Sequence, residues 1–414
     1  SQKSRGAPTE TFDASYHLVI PGLINTHHHL YQSLTRCMKS VQNASLFDWL
    51  GALYPKWSRL TFDAVKLASQ ISIAELLLSG CTTTSDHFYL FPQNSDVRLE
   101  AVLEAAESLG IRIHACRGAM SVGKSSGGLP PDSCVQDEKT IVDDCRRVID
   151  QFHDAKPHAM RRIDLAPCSP FSVSPELSRD TAVLARQRGA LLHTHAAETL
   201  DEEKYCLDRF GKRPIEWLDE LGWLGKDVYL AHCVHLNDTD IRRMVETKTG
   251  VAHCPSSNMR LGSGISPVRR LMDAGGRVGL GVDGSSSNDA SHVLAEARQA
   301  LLLQRVSGGP SAMTTAEAFT LGTLGSASVL NRAELGNIDV GMSADLAMYR
   351  RDDVSLAGAV EQDPLGALML CHVHRADRAM VNGKWVVKDA KIASLDLPPL
   401  IERFNAMVKN GFTD

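Results

Sequence analysis

The chain lacks any run of eighteen or more apolar residues, so it offers no candidate membrane-spanning helix. Its opening residues, SQKSRGAPTETFD, lack the apolar stretch of a secretory signal. Paired cysteines are missing too. Ten are scattered singly, among them Cys37, Cys81, Cys116, Cys168, Cys233 and Cys254, with no CxxC spacing and no disulfide framework. Reduced thiols and a cytoplasmic location are expected. There is no basic tract either. With a formal charge of -5 and a pI near 6.3, neither nucleic acid nor an anionic membrane would be held by electrostatics. The expected partner is a small-molecule substrate, and the expected assembly is a homo-oligomer.

At 414 residues, 43% hydrophobic and 22% charged, the chain can bury a large core and suits one big catalytic domain with a modest appendage. From about residue 64 a unit recurs in which an amphipathic helix ends at a glycine and runs into a short strand. The glycines are Gly80, Gly110, Gly189, Gly250 and the Gly275-Gly276 pair. With LVIPGLINTHHH, RIDLAPCSP and VYLAHCV added, eight strands alternate with helices such as 64–79, 137–152, 177–188, 238–247 and 289–305. The spacing predicts an α/β fold, a (β/α)8 TIM barrel. After residue 330, NIDVGMSADLAMYR and RAMVNGKWVVKD read as strands, the second folded at Asn382-Gly383 as a type I′ hairpin. The expected division is a partial β-sandwich segment at 1–20, the barrel at 21–335, and at 336–414 a second sandwich segment with a C-terminal helix.

Each barrel strand starts apolar and turns polar at its end, where such barrels carry their chemistry. Those ends supply His27, His29, His87, Arg117, Ser169, His195, Glu198, His232, His253 and Asp283. Taken singly, His87, Arg117 and His253 read equally well as packed core or loop residues. In Asn25-Thr26-His27-His28-His29, positions 27 and 29 share one side of a strand, so both imidazoles face the mouth and His28 faces away. His195 and Asp283 at later strand ends complete a nitrogen-rich donor set for zinc. The segments HACRG and LAPCSP end without Lys, Glu or Asp to bridge a second ion, so one Zn2+ per chain is expected, with Fe2+ as the alternative. Cys168 reads as a structural thiol. Zinc with an open position brings its bound water to a pKa near 7. Asp283 can touch the metal and accept a proton, Glu198 can protonate a ring nitrogen and the leaving amine, and His232 can hydrogen-bond at the reacting carbon.

These segments, PGLINTHHH, HTHAAE, LAHCVHL, HCPSSNMRLGSG and GLGVDGSSSN, resemble the amidohydrolase superfamily and, within it, the deaminase and chlorohydrolase branch. The likeness runs from about Ile20 to Gly383. It implies that His27, His29, His195 and Asp283 hold the metal and that Glu198 and His232 transfer protons. It further implies hydrolytic deamination of a purine-like ring. Within the branch the chain resembles 8-oxoguanine deaminases, with isoxanthopterin deaminase and hydroxydechloroatrazine-type triazine aminohydrolases or chlorohydrolases as alternatives. Gln32 follows His29 by three residues, as in the HTHxxQ pattern where the amide reads the purine. Guanine deaminases carry an Arg-Phe pair where Pro170-Phe171 stands here, which argues against guanine itself. Trp49 is the candidate aromatic wall and Arg117 the candidate donor to an extra substrate carbonyl. Family members usually begin with half of a β-sandwich, whereas about sixteen residues precede the first strand here, so a trimmed chain or a smaller sandwich is expected. An inactive barrel serving as a binding protein would be expected to have lost ligands. The HxE and PCxxC signature of a different zinc deaminase fold is absent.

Overall fold

The computed structural model describes residues 11–371 and 375–414; residues 1–10 of the expected N-terminal sandwich segment lie outside it. Eight parallel strands follow one another in chain order around a ring: β2 (Leu23–Asn25), β3 (Cys81–Phe88), β4 (Arg112–Ala119), β5 (Arg161–Pro167), β6 (Leu192–Ala196), β7 (Val228–His232), β8 (Gly250–His253) and β9 (Arg277–Leu280). The ring closes by main-chain bonds between its first and last staves, Thr26 N–H donating to Leu280 O at 2.8 Å and Asp283 N–H to His27 O at 3.0 Å. The eight strands are the eight expected from the sequence. They are buried on both faces, by the surrounding helices outside and by one another's side chains in the barrel interior.

The helices start and stop where local chemistry dictates. Thr61, Asp137 and Ser174 cap N-termini by accepting main-chain N–H bonds. Gly110 (φ 75°) and Gly189 (φ 68°) terminate helices in the left-handed region. Gly250 does not act as expected: Lys248 (φ 60°) ends the preceding helix, and Gly250 is the first residue of β8, set close against Tyr229 and Val329 where a Cβ would crowd.

Among the described residues the appendage is a five-stranded antiparallel sheet. It joins β1 (His17–Pro21), β10 (Leu346–Arg350), β11 (Arg378–Val381), β12 (Lys384–Lys388) and β13 (Lys391–Ile392). The hairpin forms at Asn382-Gly383, both residues at positive φ as a type I′ turn requires. Of NIDVGMSADLAMYR, only the last five residues are strand. Beyond residue 330, helices Ala359–Gln362 and Pro364–Leu370 fill the connection between strands, and the C-terminal helix Leu397–Gly411 packs on helix Phe62–Leu78. The sheet is tied to the barrel by a buried pair, Arg112 donating to both oxygens of Asp345, and by Tyr349 OH donating to Ser79 O at 2.7 Å. No helix among the described residues is long and apolar enough to cross a membrane.

A candidate metal centre at the barrel mouth

Three imidazoles converge at the C-terminal mouth, and their tautomers follow from their partners. His29 Nδ1–H donates to His87 O at 2.6 Å, and His195 Nδ1–H donates to Cys168 O at 2.6 Å, because a carbonyl can only accept. His27 is fixed one step further back. His193 Nδ1–H donates to Tyr229 O at 2.8 Å, which leaves His193 Nε2 to accept from His27 Nδ1–H at 2.7 Å. Each of His27, His29 and His195 therefore presents a bare Nε2 to the same point. Burial, followed by the neighbouring imidazoles, pushes His29 down to about 3 and holds His195 well below its ordinary value, so both rings stay neutral at pH 7.

Asp283 adds an oxygen. Its Oδ1 lies 3.3 Å from His27 Nε2 and 3.4 Å from His29 Nε2. Burial alone would raise this carboxyl, but His27, His232 and His29 around it keep it well below the usual carboxylate range. Main-chain strain gathers here too. Asp283 (φ 61°), Ala197 (φ 52°), His232 (φ 72°) and Cys233 (φ 48°) occupy the left-handed region without being glycine, at the ends of three strands facing the mouth. The donor set fits a zinc-type ion: His27 Nε2 is buried with no hydrogen-bond partner, and three neutral imidazoles with one carboxylate oxygen are zinc's preferred company.

The proton-transfer candidates adjoin this centre. Glu198 Oε2 lies 3.7 Å from His232 Nε2, whose Nδ1–H donates to Asn258 Oδ1 at 2.9 Å. Burial pushes Glu198 up to about 7, against the pull of His232 and with the help of Asp283. Burial lowers His232, but Glu198, Asp283 and Asn258 outweigh it and leave the imidazole above its ordinary value. A cavity opens onto His29, His195, Glu198, His232 and Asp283. Gln32 and Trp49 line it; Gln32 Oε1 is buried without a partner, and the Trp49 indole N–H donates to Ser286 O at 3.2 Å.

Arg117 is not in the cavity, which corrects the expectation that it reads a substrate carbonyl. Its guanidinium points to the outer face of β4, where it donates to Asp144 Oδ2 at 2.6 Å, bonds Gln136 and lies 3.6 Å over the Phe91 ring. Alternation along β4 puts Cys116 on the lumen side and Arg117 on the helix side. Among the described residues the cavity wall holds no Arg or Lys. His28 turns away to Ser291 Oγ at 3.0 Å, and His253 is fully buried outside the cavity lining.

Sequence reasoning passed over His193, although His193-Thr194-His195 repeats the two-apart spacing of His27 and His29. It also missed Tyr54, Tyr89, Leu46 and Leu50, which line the cavity from helix Leu46–Trp57 and from the loop after β3 without any motif to mark them. His87 stacks on His195, with ring centroids 4.6 Å apart, and donates Nε2–H to Ala166 O at 2.8 Å. With His27, His29 and His195 it makes up a cluster of four histidines, one ring nitrogen from each lying within 4.8 Å of the others, and its Nδ1 is buried without a partner.

Residues 18–386 match the amidohydrolase family. The chain belongs to that family. It is 51% identical over 395 residues to an 8-oxoguanine deaminase from Pseudomonas aeruginosa, covering 95% of this chain and 88% of that protein. It is 37% identical to an isoxanthopterin deaminase from an unknown prokaryotic organism, covering 95% and 86%, and 35% identical to a hydroxydechloroatrazine ethylaminohydrolase from a Pseudomonas species, covering 91% and 79%. Among solved structures, the atrazine chlorohydrolase of Arthrobacter aurescens complexed with zinc superposes with a TM-score of 0.91 at 32% identity, covering 95% of this chain and 88% of that one.

Proposed function

We propose that the chain is a zinc-dependent aminohydrolase converting 8-oxoguanine and water to urate and ammonia. The observation that carries the reading is the convergence of three bare Nε2 atoms and one carboxylate oxygen beside a buried Glu198 poised near neutrality. His27, His29, His195 and Asp283 would hold one zinc. Bound there, zinc supplies Lewis-acid activation of the hydrolytic water at neutral pH.

The protein's own groups do the rest. Asp283 is ionised and accepts the proton lost by the hydrolytic water, while Glu198, with a carboxyl near 7, gives its proton to the ring nitrogen beside the reacting carbon, recovers one from the newly added hydroxyl and passes it to the departing amine; the proton on Asp283 then restores Glu198. His232 Nε2 faces both carboxylates, at 3.7 Å and 3.9 Å, and steadies charge that develops between them. The Gln32 amide offers a donor and an acceptor to the pyrimidine edge, and Trp49 offers a flat wall. With Arg117 turned away, substrate carbonyls are met by neutral donors, the Tyr54 hydroxyl, buried without a partner, and the Gln32 amide N–H, while the unpaired Gln32 Oε1 is left to accept from a ring N–H. The likeness to the Pseudomonas aeruginosa protein, and Pro170-Phe171 in place of an Arg-Phe pair, support the oxidised purine. Incubation with 8-oxoguanine should yield urate and ammonia in a one-to-one ratio, read by mass spectrometry and ammonia assay. Absence of both products from zinc-loaded protein would refute the reading.

A further inference from the structure

Glu202 lies one helical turn beyond Glu198 and never reaches the cavity lining, yet it is fully buried. Its carboxylate is committed to the main chain of the segment that carries Glu198: Oε1 accepts from Ala197 N–H at 2.8 Å and Oε2 from Glu198 N–H at 2.7 Å. The helix it belongs to, Leu200–Phe210, is capped by Thr199 Oγ1, which accepts from Glu202 N–H. In an ordinary capping box, the acid at this position returns to the N-cap's own N–H. Here it reaches past Thr199 to the two residues before it.

The other side of the same peptide is gripped as well. Ala197 O accepts from both Val234 N–H and His235 N–H at 2.9 Å, and Ala196 O accepts from Cys233 N–H at 3.1 Å. Ala197 (φ 52°), His232 (φ 72°) and Cys233 (φ 48°) all lie in the left-handed region, so this clamp holds three strained residues in register. It joins the end of β6, which bears Glu198, to the end of β7, which bears His232. Burying this carboxylate costs desolvation, which the two charge-assisted N–H bonds offset.

From this geometry we infer that Glu202 is a positioning residue for the proposed proton transfer: it sets the Glu198 carboxyl against His232 through the Ala197-Glu198 main chain. The inference rests on Glu198 being the proton-transfer group. Glutamine at 202 can accept only one of the two N–H bonds and turns its own donor toward the other.

The test compares Glu202→Gln, Glu198→Gln and the double variant, zinc-loaded, by ammonia release from the best substrate of the panel named in the Discussion, with metal content measured on the same samples. Glu202→Gln should keep its zinc and a KM within about threefold, while kcat falls about thirtyfold or more. Adding Glu202→Gln to Glu198→Gln should cost less than about twofold further, because the two residues act as one unit. If Glu202→Gln does not fold, Glu202→Asp, one methylene too short to reach both N–H groups, is read in its place with the same expectations. Near-normal kcat in a folded Glu202 variant would overturn the inference while leaving the proposed function standing. So would losses that multiply in the double variant, or loss of the metal. Near-normal turnover by Glu198→Gln alone would instead overturn the proton-transfer reading, and this inference with it.

Discussion

His29 Nε2 and His195 Nε2 stand 3.1 Å apart, and neither has a proton to offer the other. Both rings have spent their N–H on main-chain carbonyls, His29 on His87 and His195 on Cys168. Two lone pairs held that close repel unless a cation lies against them. The folded chain therefore builds the centre's charge preference before any ion binds.

The His27 arm of that centre depends on His193, which in turn hangs on Tyr229 O and stacks on the Tyr229 ring with centroids 4.0 Å apart. Replacing the histidine with leucine frees the His27 ring to rotate and to change tautomer. His193→Leu should weaken zinc binding about 10–100-fold, the usual effect of losing the partner of a metal-binding histidine. Competition against a calibrated chelator measures it. Unchanged affinity would show that His27 needs no such support.

Glu198→Gln should keep zinc and lose about a thousandfold in kcat, since one carboxyl serves two proton transfers, each worth about 10²–10⁴. Steady-state kinetics with elemental analysis on the same protein decides it.

The same variant has a stability signature. Glu198 titrates near 7 in the folded chain, above its ordinary 4.5, so the folded state holds the proton more tightly than the unfolded one. Its contribution is fully present below about pH 4.5 and is lost as pH rises through 7. Glutamine mimics the protonated acid at every pH. Glu198→Gln should therefore be more stable than the parent at pH 8, by on the order of 2–3 kcal/mol in the metal-free protein, and equal to it near pH 4.5. Urea unfolding at the two pH values reads the difference, and an equal gain at both would contradict the burial argument.

Much of this was legible in the sequence because the barrel writes its own pattern. Six of the eight staves, all but β4 and β5, end where apolar residues give way to His, Glu or Asp, and the mouth gathers those ends. His27, His29, His195, Glu198, His232 and Asp283 meet within the cavity wall or beside it for that reason. What the pattern hides is which way a residue at the end of a strand turns. Arg117 follows Cys116 by one position and so falls on the helix side, a parity that could have been counted from the lumen-facing His114 and Cys116. Tyr54 and Tyr89 come from a helix and a loop whose approach to the mouth is set by packing, not by any local spacing. Lys248 and Gly250 show the same limit on a smaller scale: the left-handed residue was expected at the glycine and lies two positions earlier.

Arg117 gives a prediction of the opposite kind. Arg117→Met removes the bond to Asp144 and the contact with Phe91 while keeping much of the buried volume. It should cost about 1–3 kcal/mol of stability, because Asp144 keeps Arg147 as a partner. Substrate preference should not change. A shift in kcat/KM between 8-oxoguanine and guanine greater than about threefold would return the residue to the binding site.

The most direct test of the account is kcat/KM measured on one zinc-loaded preparation for 8-oxoguanine, isoxanthopterin, guanine, cytosine and an alkylaminated triazine, with metal counted per chain. A cavity in which the buried Tyr54 hydroxyl awaits a carbonyl and Gln32 Oε1 awaits an N–H should reject analogues that lack them. The account predicts one zinc per chain and 8-oxoguanine as the best of the five by at least about tenfold over guanine. Guanine or cytosine as the best substrate, or two metals per active chain, would contradict it.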